Sequence, residues 1–419
     1  MSKLDELIKE LCPNGVEYKE LGEVLVSLNT GLNPRKFFRL NTEDATNYYV
    51  TIREIQKNRI QFSDKTDRIN EEALILCNKR ANLEKGDVLF SGTGTIGEVA
   101  IVDETPNNWS IKEGVYSLKP ISANINSKFL MYVLQTRNIK EKYSQKVVGG
   151  TVKSITMADL KKIDIPVPPL EVQNEIVRIL DNFTALTAEL TAELTARKKQ
   201  YSWYRDYLLK FENKIEIVKL GDIVEVYDGT HQTPDYKKTG IPFISVENID
   251  NIYNTEKYIS EEDYEKNYRI KPKIDDIFMT RIGTIGKCAI VTKNNPLAYY
   301  VSLALLRPNK NKIDSAYLKY IIESGIGKKE LNKRILFTAV PIKINKGDID
   351  KLEIPLPPLE VQKRIVGVFD NFEKICNDLN IGLPAEIEAR QKQYEFYRNF
   401  LLTFKIENCT LPKTRQDKT

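Results

Sequence analysis

The most constraining feature of this sequence is a long internal repeat. Residues 163–183, IDIPVPPLEVQNEIVRILDNF, recur 189 positions later as LEIPLPPLEVQKRIVGVFDNF at 352–372. Residues 197–211, RKKQYSWYRDYLLKF, match RQKQYEFYRNFLLTF at 390–404, with an offset of 193. The repeat predicts two similar structural modules in tandem. The segments between the matched blocks differ, which fits either one scaffold that carries two different recognition surfaces or drift after a duplication.

Each repeat block predicts a long helix that follows a proline-rich approach. Proline suits the first turn of a helix but not its interior, so we expect the helices to begin near Leu170 and Leu359. Side chains that can form a seam then recur about every 3.5 residues, as in a coiled coil. A helix of about 40 residues would be roughly 60 Å long. Because both seams share one register, we expect the helices to pair, and Gly382 and Pro384 to bend or interrupt the second one.

The segments before the helices have the pattern of mixed α/β domains. Short strand-like runs separated by turn residues lie at Asp87–Phe90, Val99–Val102, Ile277–Thr280 and Cys288–Thr292. The predicted fold class is mixed α/β: two α/β domains in tandem, each followed by a long helix, with the helices forming an antiparallel coiled coil and the chain an internal pseudo-twofold repeat. The predicted segments are a first domain at 1–165, a first helix at 166–211, a second domain at 212–352, a second helix at 353–405 and a flexible tail at 406–419.

Composition excludes several classes of protein. The 419 residues suggest two or three domains, and 41% hydrophobic residues are enough to form buried cores. The net charge of +5 is too small to indicate nucleic-acid binding by itself. The longest apolar stretch, Tyr299–Leu306, is too short to cross a bilayer, and the charged N-terminus does not resemble a secretory signal. We therefore expect a cytoplasmic protein without a membrane partner.

Cysteine and histidine usage argues against metal sites. The five cysteines are scattered and never spaced as CxxC, which disfavours a zinc site or a disulfide framework. His231 is the only histidine, so no multi-histidine metal site can form. No metal site and no catalytic residue is therefore predicted.

The motifs that resemble catalytic or cofactor-binding sequences lack the flanking elements and residues that those functions require. Residues 92–97, GTGTIG, match GxGxxG, but a dinucleotide loop leads from a strand into a helix, whereas residues 98–102 have a strand pattern. The matching segment 280–286, TRIGTIG, lacks the first glycine, so a glycine-rich hairpin is the better interpretation. The PPL segments lack the polar and aromatic residues of an amino-methyltransferase loop, and no GxxxxGK[ST] motif for ATP is present.

The repeated blocks resemble the specificity subunit of type I restriction–modification systems. The resemblance rests on the two IPxPPLEVQ blocks, the two RxKQYxxYRxxLLxF blocks and GTIG followed by a strand. It also rests on DGTHQTP at 228–234 with GIPFI at 240–244, and it covers nearly the whole chain. It implies two target-recognition domains, each of which reads half of a bipartite DNA site, and two long helices packed antiparallel.

The resemblance also implies partner subunits, and it assigns DNA methylation and cleavage to those partners. Members of the family bind double-stranded DNA and join two methyltransferase subunits, which bind S-adenosylmethionine and methylate adenine; restriction subunits that use ATP and Mg²⁺ can join as well. No cofactor is expected in this chain, and no enzymatic activity. Two alternatives stay open: a coiled-coil scaffold whose domains bind protein, and a methyltransferase that uses residues 92–97 for its cofactor.

Residues 186–196, LTAELTAELTA, contain a tandem TAEL unit inside the first helix. The high helix propensity of Ala, Glu and Leu would be enough to explain this tandem unit. Similar tandem units occur in one branch of the family that this chain resembles, where such a unit could act as a ruler. One added unit would lengthen the helix by about 6 Å and rotate its end by about 40°, which would shift the spacer between the half-sites by about one or two base pairs.

DNA contacts are expected from basic and polar side chains, supported by aromatic residues. An ordinary solvated surface charge is the alternative for each residue. Arg281 is the preferred individual residue because it lies at a hairpin where the first copy has Gly92. The candidates are Arg35, Lys36, Lys79, Arg80, Lys146 and Lys153 in the first domain, and His231, Gln232, Tyr236, Lys237, Lys238, Arg281, Lys333 and Arg334 in the second.

Apolar residues outside the seams are candidates for docking the methyltransferase subunits. The chain's own domains could equally pack against them. These candidates are Val172, Val177, Trp203 and Tyr207 on the first helix and Val361, Val366, Phe396 and Phe400 on the second.

Overall fold

The computed structural model describes residues 3–34, 37–211, 215–378 and 381–404, which form two units of the same topology. The first unit comprises residues 1–189 with 388–419, and the second comprises residues 190–387. Each unit therefore combines one α/β domain with one half of each long helical region. The predicted flexible tail, 406–419, lies outside the described residues.

The first unit begins with a short helix and continues as a mixed α/β domain. Its elements are α1 (Lys3–Leu11), β1 (Tyr18–Glu20), β2 (Leu25–Thr30), β3 (Asn47–Val50), β4 (Ile55–Gln56), β5 (Arg59–Ile60), β6 (Arg68–Ile69), α2 (Glu71–Ala81), β7 (Val88–Ser91), β8 (Val99–Ile101), β9 (Trp109–Ile111), β10 (Val115–Pro120), α3 (Ser127–Leu134), α4 (Arg137–Ser144), α5 (Met157–Lys161), β11 (Asp164–Pro166) and the first half of α6 (Leu170–Leu208).

Among the described residues, the second unit repeats this arrangement without counterparts of α1 and of the two-stranded sheet β4-β5. Its elements are the second half of α6, β12 (Ile217–Lys219), β13 (Val224–Asp228), β14 (Ile241–Ile244), β15 (Tyr258–Ile259), α7 (Glu261–Asn267), β16 (Ile277–Ile282), β17 (Thr284–Ile290), β18 (Ala298–Tyr299), β19 (Leu303–Pro308), α8 (Ser315–Glu323), α9 (Gly325–Asn332), α10 (Lys346–Ile349), β20 (Glu353–Pro355) and α11 (Leu359–Asn377). The last helix, α12 (Leu383–Thr403), begins here, and its larger part belongs to the first unit.

Strand order shows that the two units share one fold. The first has a four-stranded antiparallel sheet, β2-β10-β7-β8, and the second has the matching sheet β13-β19-β16-β17. The three-stranded sheets β6-β3-β9 and β15-β14-β18 correspond in the same way, each with one antiparallel and one parallel pair. The middles of the two copies, which differ in sequence, therefore keep the same topology.

One buried glutamine ties the start of each long helix to its domain. The Nε2 atom of Gln173 donates to the carbonyl of Pro168 at 2.7 Å, and its Oε1 accepts the N–H of Asn126, the N-cap of α3, at 2.8 Å. Gln362 makes the equivalent bonds to Pro357 at 2.7 Å and to the N–H of Asp314, the N-cap of α8, at 2.8 Å. Because a buried amide must satisfy its donors and acceptors, these contacts explain the glutamine of each PPLEVQ block.

The helices begin and break where the sequence predicts. They start at Leu170 and Leu359, and the first continues for 39 residues. The second region is interrupted between α11 and α12, where a Cβ on Gly382 would lie only 2.5 Å from the carbonyl oxygen of Lys374.

Aromatic contacts pair the helices within each unit. In the first unit, Phe183 of α6 stacks on Tyr397 of α12 with ring centroids 5.3 Å apart. In the second unit, Tyr201 and Tyr204 of α6 contact Phe372 of α11 at 5.9 Å and 5.8 Å. The early half of α6 thus pairs with the later helix and its later half with the earlier one, which is the order of the predicted antiparallel pair.

Candidate nucleic-acid interface

In each four-stranded sheet, the loops that follow two of the strands leave from the same end of the sheet. In the second unit, both Asp228 of β13 and Met279 of β16 are paired with Ala304 of the strand between them. β13 and β16 therefore run in the same direction, and the loops that follow them leave from the same end of the sheet. We call this the loop end of the second unit; the loop end of the first unit lies after Thr30 of β2 and Ser91 of β7, which are joined in the same way through β10.

The segment after β13 presents polar side chains at the loop end. Its start is fixed because the N–H of Thr230 donates to the carbonyl of Tyr299 at 3.1 Å, and a Cβ on Gly229 would lie 2.5 Å from that same oxygen. His231 and Gln232 follow and are exposed. Both side chains are therefore open to solvent, and their contact with DNA stays a prediction.

Three further candidates continue this segment. The Tyr236 ring is exposed and lies edge-on to Phe243, with centroids 5.4 Å apart. Lys237 is exposed and forms an ion pair with Asp235, and this contact raises the pKa of the Lys237 ammonium group. Lys238 is exposed. The loop therefore carries two adjacent cations beside an aromatic face.

Arg281 is buried, which overturns its prediction as the preferred base-contacting residue. Its side chain is only 8% exposed, and its Nη1 atom forms an ion pair with the carboxylate of Asp228. Its Nε atom is also buried and has no hydrogen-bond partner. The long-range pairing with Asp228 draws the guanidinium inward, so Arg281 positions the start of the 228–238 loop instead of reaching a ligand itself.

The glycine-rich segments form hairpins, as predicted. Strand β7 pairs antiparallel with β8, and β16 with β17 through a turn at Gly283, so neither segment leads into a helix. Gly97 has a positive φ of 94°, and a Cβ there would lie 1.9 Å from the hydroxyl of Tyr143. Gly286, with φ 86°, is packed in the same way against Leu331. These glycines allow close packing beneath each turn, which gives the GxGxxG match a structural explanation.

The basic candidates of the first unit that the structure describes lie at two places. Arg35 and Lys36 lie outside the described residues. Lys79 and Arg80 are exposed in the last turn of α2, and Arg80 approaches Glu113, which precedes β10, at 3.9 Å. Lys146 is partly exposed and Lys153 is exposed, and they flank a loop that contacts the 92–98 hairpin.

Lys333 and Arg334 lie at the base of the corresponding loop in the second unit. Both form ion pairs with Glu330. Burial of Glu330 opposes its ionisation, but its bonds to the two cations outweigh that effect and lower the pKa of its carboxyl group. Arg334 also donates to the carbonyl of Lys351 at 2.8 Å. These contacts indicate that Arg334 holds the loop in place.

Two predicted partner-docking residues belong to the core instead. Val172 and Val177 are 0% and 8% exposed and pack inside the first unit, so they are not available to a partner. Val366 and Phe400 are partly buried against the cores of the second and first units. A coiled-coil register predicts only the face of a helix that packs against the other helix. These residues lie on a different face, which packs against the α/β domain.

The remaining partner candidates, Trp203, Tyr207, Phe396 and Val361, are exposed. Trp203 and Tyr207 stack with centroids 5.0 Å apart and planes 7° apart, and both are about 60% exposed. Phe396 and Phe400, at the corresponding positions of α12, stack at 6.0 Å and 8°. Val361 is exposed near the start of α11. The same pair of stacked rings therefore occurs once in each unit.

Sequence analysis did not identify the apolar tips of two loops at the loop ends. Val148 and Val152 in the first unit, and Phe337 and Val340 in the second, are exposed. Their local signal is an apolar run between cations, KVVGGTVK at 146–153 and KRILFTAVPIK at 333–343. Such a run also fits a buried strand, so the local pattern alone does not identify a surface.

Metal-binding clusters and membrane-spanning helices are both absent from the described residues. No group of three or more His, Cys, Asp or Glu side chains among them is placed to hold a metal ion. No helix within the same residues is long and apolar enough to span a membrane.

Comparison with known sequences defines a DNA specificity protein. Residues 13–197 and 212–389 each match the family described as the type I restriction modification DNA specificity domain. This chain is a member of the type I restriction–modification specificity family. The two matches correspond to the two copies of the repeat, and they confirm the resemblance found in the repeated blocks.

Curated relatives carry the same designation. A putative type I restriction enzyme specificity subunit of Haemophilus influenzae is 33% identical over 296 residues, which is 67% of this chain and 73% of the relative. The EcoR124I/EcoR124II specificity subunit of Escherichia coli is 38% identical over 263 residues, 58% of this chain and 63% of the relative.

Solved structures share the fold. A chain from a study of complex assembly and conformational transition of the type I R-M system superposes with a TM-score of 0.62 at 19% identity, and covers 93% of this chain and 98% of that one. The HsdS subunit of Thermoanaerobacter tengcongensis gives a TM-score of 0.50 at 20% identity, with coverage of 94% and 97%.

Proposed function

We propose that this chain is the DNA-recognition subunit of a type I restriction–modification complex, in which each unit reads one half of a bipartite site. The observation that carries the proposal is the pair of loop ends. The two units share strand order and helix packing, yet the loops at those ends differ in sequence. A constant framework with variable loops suits two different half-sites. Proteins distinguish bases through side chains that reach base edges, while basic residues fix the register on phosphates.

In this function the helices serve as a spacer and as a docking platform. Residues 186–196 lie within the uninterrupted α6, which supports a role for the TAEL units in setting the separation of the half-sites. The stacked pairs Trp203–Tyr207 and Phe396–Phe400 would each bind one methyltransferase subunit, and restriction subunits would join through those partners. Duplicated docking surfaces suit a stoichiometry of two methyltransferase subunits to one specificity subunit.

The chemistry is assigned to the partners. S-adenosylmethionine, ATP and Mg²⁺ would bind in the methyltransferase and restriction subunits, and this chain would hold no cofactor. The hairpin at residues 92–98 supports this assignment because a cofactor loop of the dinucleotide type leads into a helix. We place the complex in the cytoplasm, where it would meet chromosomal DNA.

Salt-dependent binding to duplex DNA tests the proposal. The full chain assembled with methyltransferase subunits should bind duplexes with an affinity that falls as salt rises, by about 0.9 logarithmic units per phosphate contact for each tenfold change in salt. The double substitution Lys146→Gln with Lys153→Gln should reduce that slope by about two. Binding to protein partners without salt-dependent binding to DNA would favour the scaffold alternative instead.

A further inference from the structure

Each unit carries a short loop that pairs with the glycine hairpin at its loop end. In the first unit, residues 147–154 fold back on themselves, with Val148 and Ser154 exchanging two backbone hydrogen bonds of 2.8 Å. In the second, the N–H of Leu336 donates to the carbonyl of Lys343 at 2.8 Å within residues 335–343. We call these segments the first and second fingers.

Backbone contacts hold both fingers against the hairpins. The N–H of Gly94 donates to the carbonyl of Lys153 at 2.8 Å, and the N–H of Gly283 donates to that of Ile342 at 2.8 Å. Each finger and its hairpin thus form a small β-ribbon at the loop end. The major groove of DNA is wide enough for a two-stranded ribbon.

The tips of the fingers are apolar and open to solvent. Phe337 is 61% exposed and Val340 is 100% exposed in the second finger. Val148 and Val152 are exposed to a similar extent as Phe337 in the first finger. Clustered exposure of large apolar side chains marks an interaction surface, and Lys153 and Lys343, which are exposed at the ends of the fingers, give that surface a positive flank.

Comparison of the two copies favours one class of ligand for the fingers. A partner that binds identically to both units would select similar residues twice; Trp203 and Phe396, the large aromatic residues proposed above to dock the methyltransferase subunits, have this pattern. The fingers instead differ, with two valines around two glycines in the first and Leu336, Phe337 and Val340 in the second. A ligand that differs between the units fits this pattern, and the two halves of a bipartite DNA site are such a ligand.

We propose that the fingers are base-reading elements that detect thymine in the major groove by apolar contact. This proposal rests on the DNA-recognition function proposed above. Phe337 and Val340 would pack against thymine methyl groups of one half-site, while Lys343 would bind an adjacent phosphate. The smaller Val148 and Val152 would read a methyl group of the other half-site. Contact between an apolar side chain and the thymine methyl group is a general mode of base recognition.

Replacement of thymine by uracil isolates this contact because it removes only the methyl group. The full chain, assembled with methyltransferase subunits, would be titrated with duplexes that carry its bipartite motif and single thymine-to-uracil changes. At one position of the second half-site, uracil should weaken binding about fourfold, the value expected for one buried methyl group. The Phe337→Ala variant should bind the thymine duplex several-fold more weakly and should no longer distinguish thymine from uracil there.

Matched controls distinguish failure of the finger proposal from failure of the proposed DNA-recognition function. Ile274→Ala removes an exposed apolar residue at the opposite end of β16 and should leave both affinities unchanged. If wild-type protein binds the motif specifically but Phe337→Ala keeps its sensitivity to uracil at every position, the finger proposal is overturned and the DNA-recognition function stands. Loss of methyltransferase subunits from the Phe337→Ala complex would also overturn it, in favour of a protein contact. Absence of specific DNA binding by wild type would instead contradict the proposed function.

Discussion

The carboxylate of Asp206 accepts the backbone N–H of Gly325 at 2.9 Å, which joins the end of α6 to the first turn of α9. In the first unit, the side-chain oxygen of Asn399 accepts the N–H of Arg137 at 2.9 Å, which joins α12 to α4. An oxygen that caps the N-terminus of a helix satisfies a free N–H, and a carboxylate also interacts favourably with the helix dipole. Each domain is therefore fastened to the end of a long helix at an equivalent position.

Removal of the capping carboxylate of Asp206 should destabilise α9. Asp206→Ala should lower the local stability of the second unit by about 1 kcal/mol because an N–H at a helix start loses its acceptor. Asp206→Asn keeps an oxygen at the same place, as Asn399 does in the first unit, and should retain most of that stability. Hydrogen exchange of the α9 amides checks this directly. Equal protection of α9 in wild type and Asp206→Ala would show that the contact contributes nothing.

Glu323 should make the second unit less stable as pH rises. Burial raises the pKa of its carboxyl group above the ordinary value of 4.5, although the nearby Lys319 partly opposes the shift. The folded state therefore binds more protons than the unfolded state between pH 4.5 and the raised pKa, and its stability falls as pH increases through that interval.

Glu323→Gln is the variant that isolates this titration. The amide oxygen of glutamine can still accept the N–H of Cys288, which Glu323 accepts at 2.8 Å, and Gln135 occupies the corresponding position in the first unit. The variant should be more stable than wild type at pH 7, with a smaller difference near pH 4.5. Denaturant unfolding at both pH values measures the difference, and a difference independent of pH would contradict the expectation.

Arg281 and Asp228 should be energetically coupled. Arg281→Met should lower the free energy of unfolding of the second unit by about 2 kcal/mol, because Asp228 would lose a charged hydrogen-bond partner. The same variant should weaken binding to one half-site only, because residues 228–238 would lose their anchor. A double-mutant cycle with Asp228→Asn should give a coupling of about 1 kcal/mol or more, whereas additive effects would show that the pair does not act together.

The stacked aromatic pairs should control the number of methyltransferase subunits bound. A buried aromatic anchor in an interface is worth about 2 kcal/mol or more, so Trp203→Ala should reduce the bound subunits from two to one at moderate protein concentration. Phe396→Ala should do the same, and the double variant should bind none. Native mass spectrometry counts the subunits, and Ile274→Ala serves as the control for loss of an exposed apolar side chain. Two bound subunits in each single variant would exclude these surfaces as the docking sites.

One added TAEL unit should change the spacer and nothing else. Four extra residues within 186–196 would lengthen α6 by about 6 Å and rotate its end by about 40°. The preferred spacer between the half-sites should therefore change by about one or two base pairs, with each half-site unchanged. Selection of bound duplexes from a library with random spacers measures this, and an unaltered spacer would refute the ruler.

The parts of the structure that follow from local chemistry could be predicted from the sequence. The starts of α6 and α11 follow from proline geometry, and the break before α12 follows from Gly382. The hairpins could be predicted because each glycine-rich segment is followed by a strand pattern and not by a helix pattern. These features depend on neighbouring residues, which the sequence displays directly.

Burial set by distant residues could not be predicted in the same way. Arg281 has the local pattern of an exposed hairpin residue, but Asp228, 53 positions earlier, draws it inward. Val172 lies off the coiled-coil seam yet faces the core of its own domain. Phe337 shows the reverse, since an apolar run that fits a buried strand is exposed at a loop end. The burial of Arg281 and Val172 arises from contacts between segments that are far apart in the chain.

A map of methylated adenine tests the DNA-recognition function most directly. Methyltransferase subunits that co-purify with this chain would be expressed in a bacterial host free of adenine methylation, with and without the chain. We expect methylation at a two-part motif with a fixed gap, present only when the chain is present. Methylation that does not require the chain, or that falls on a continuous motif without a gap, would contradict the assignment of one half-site to each unit.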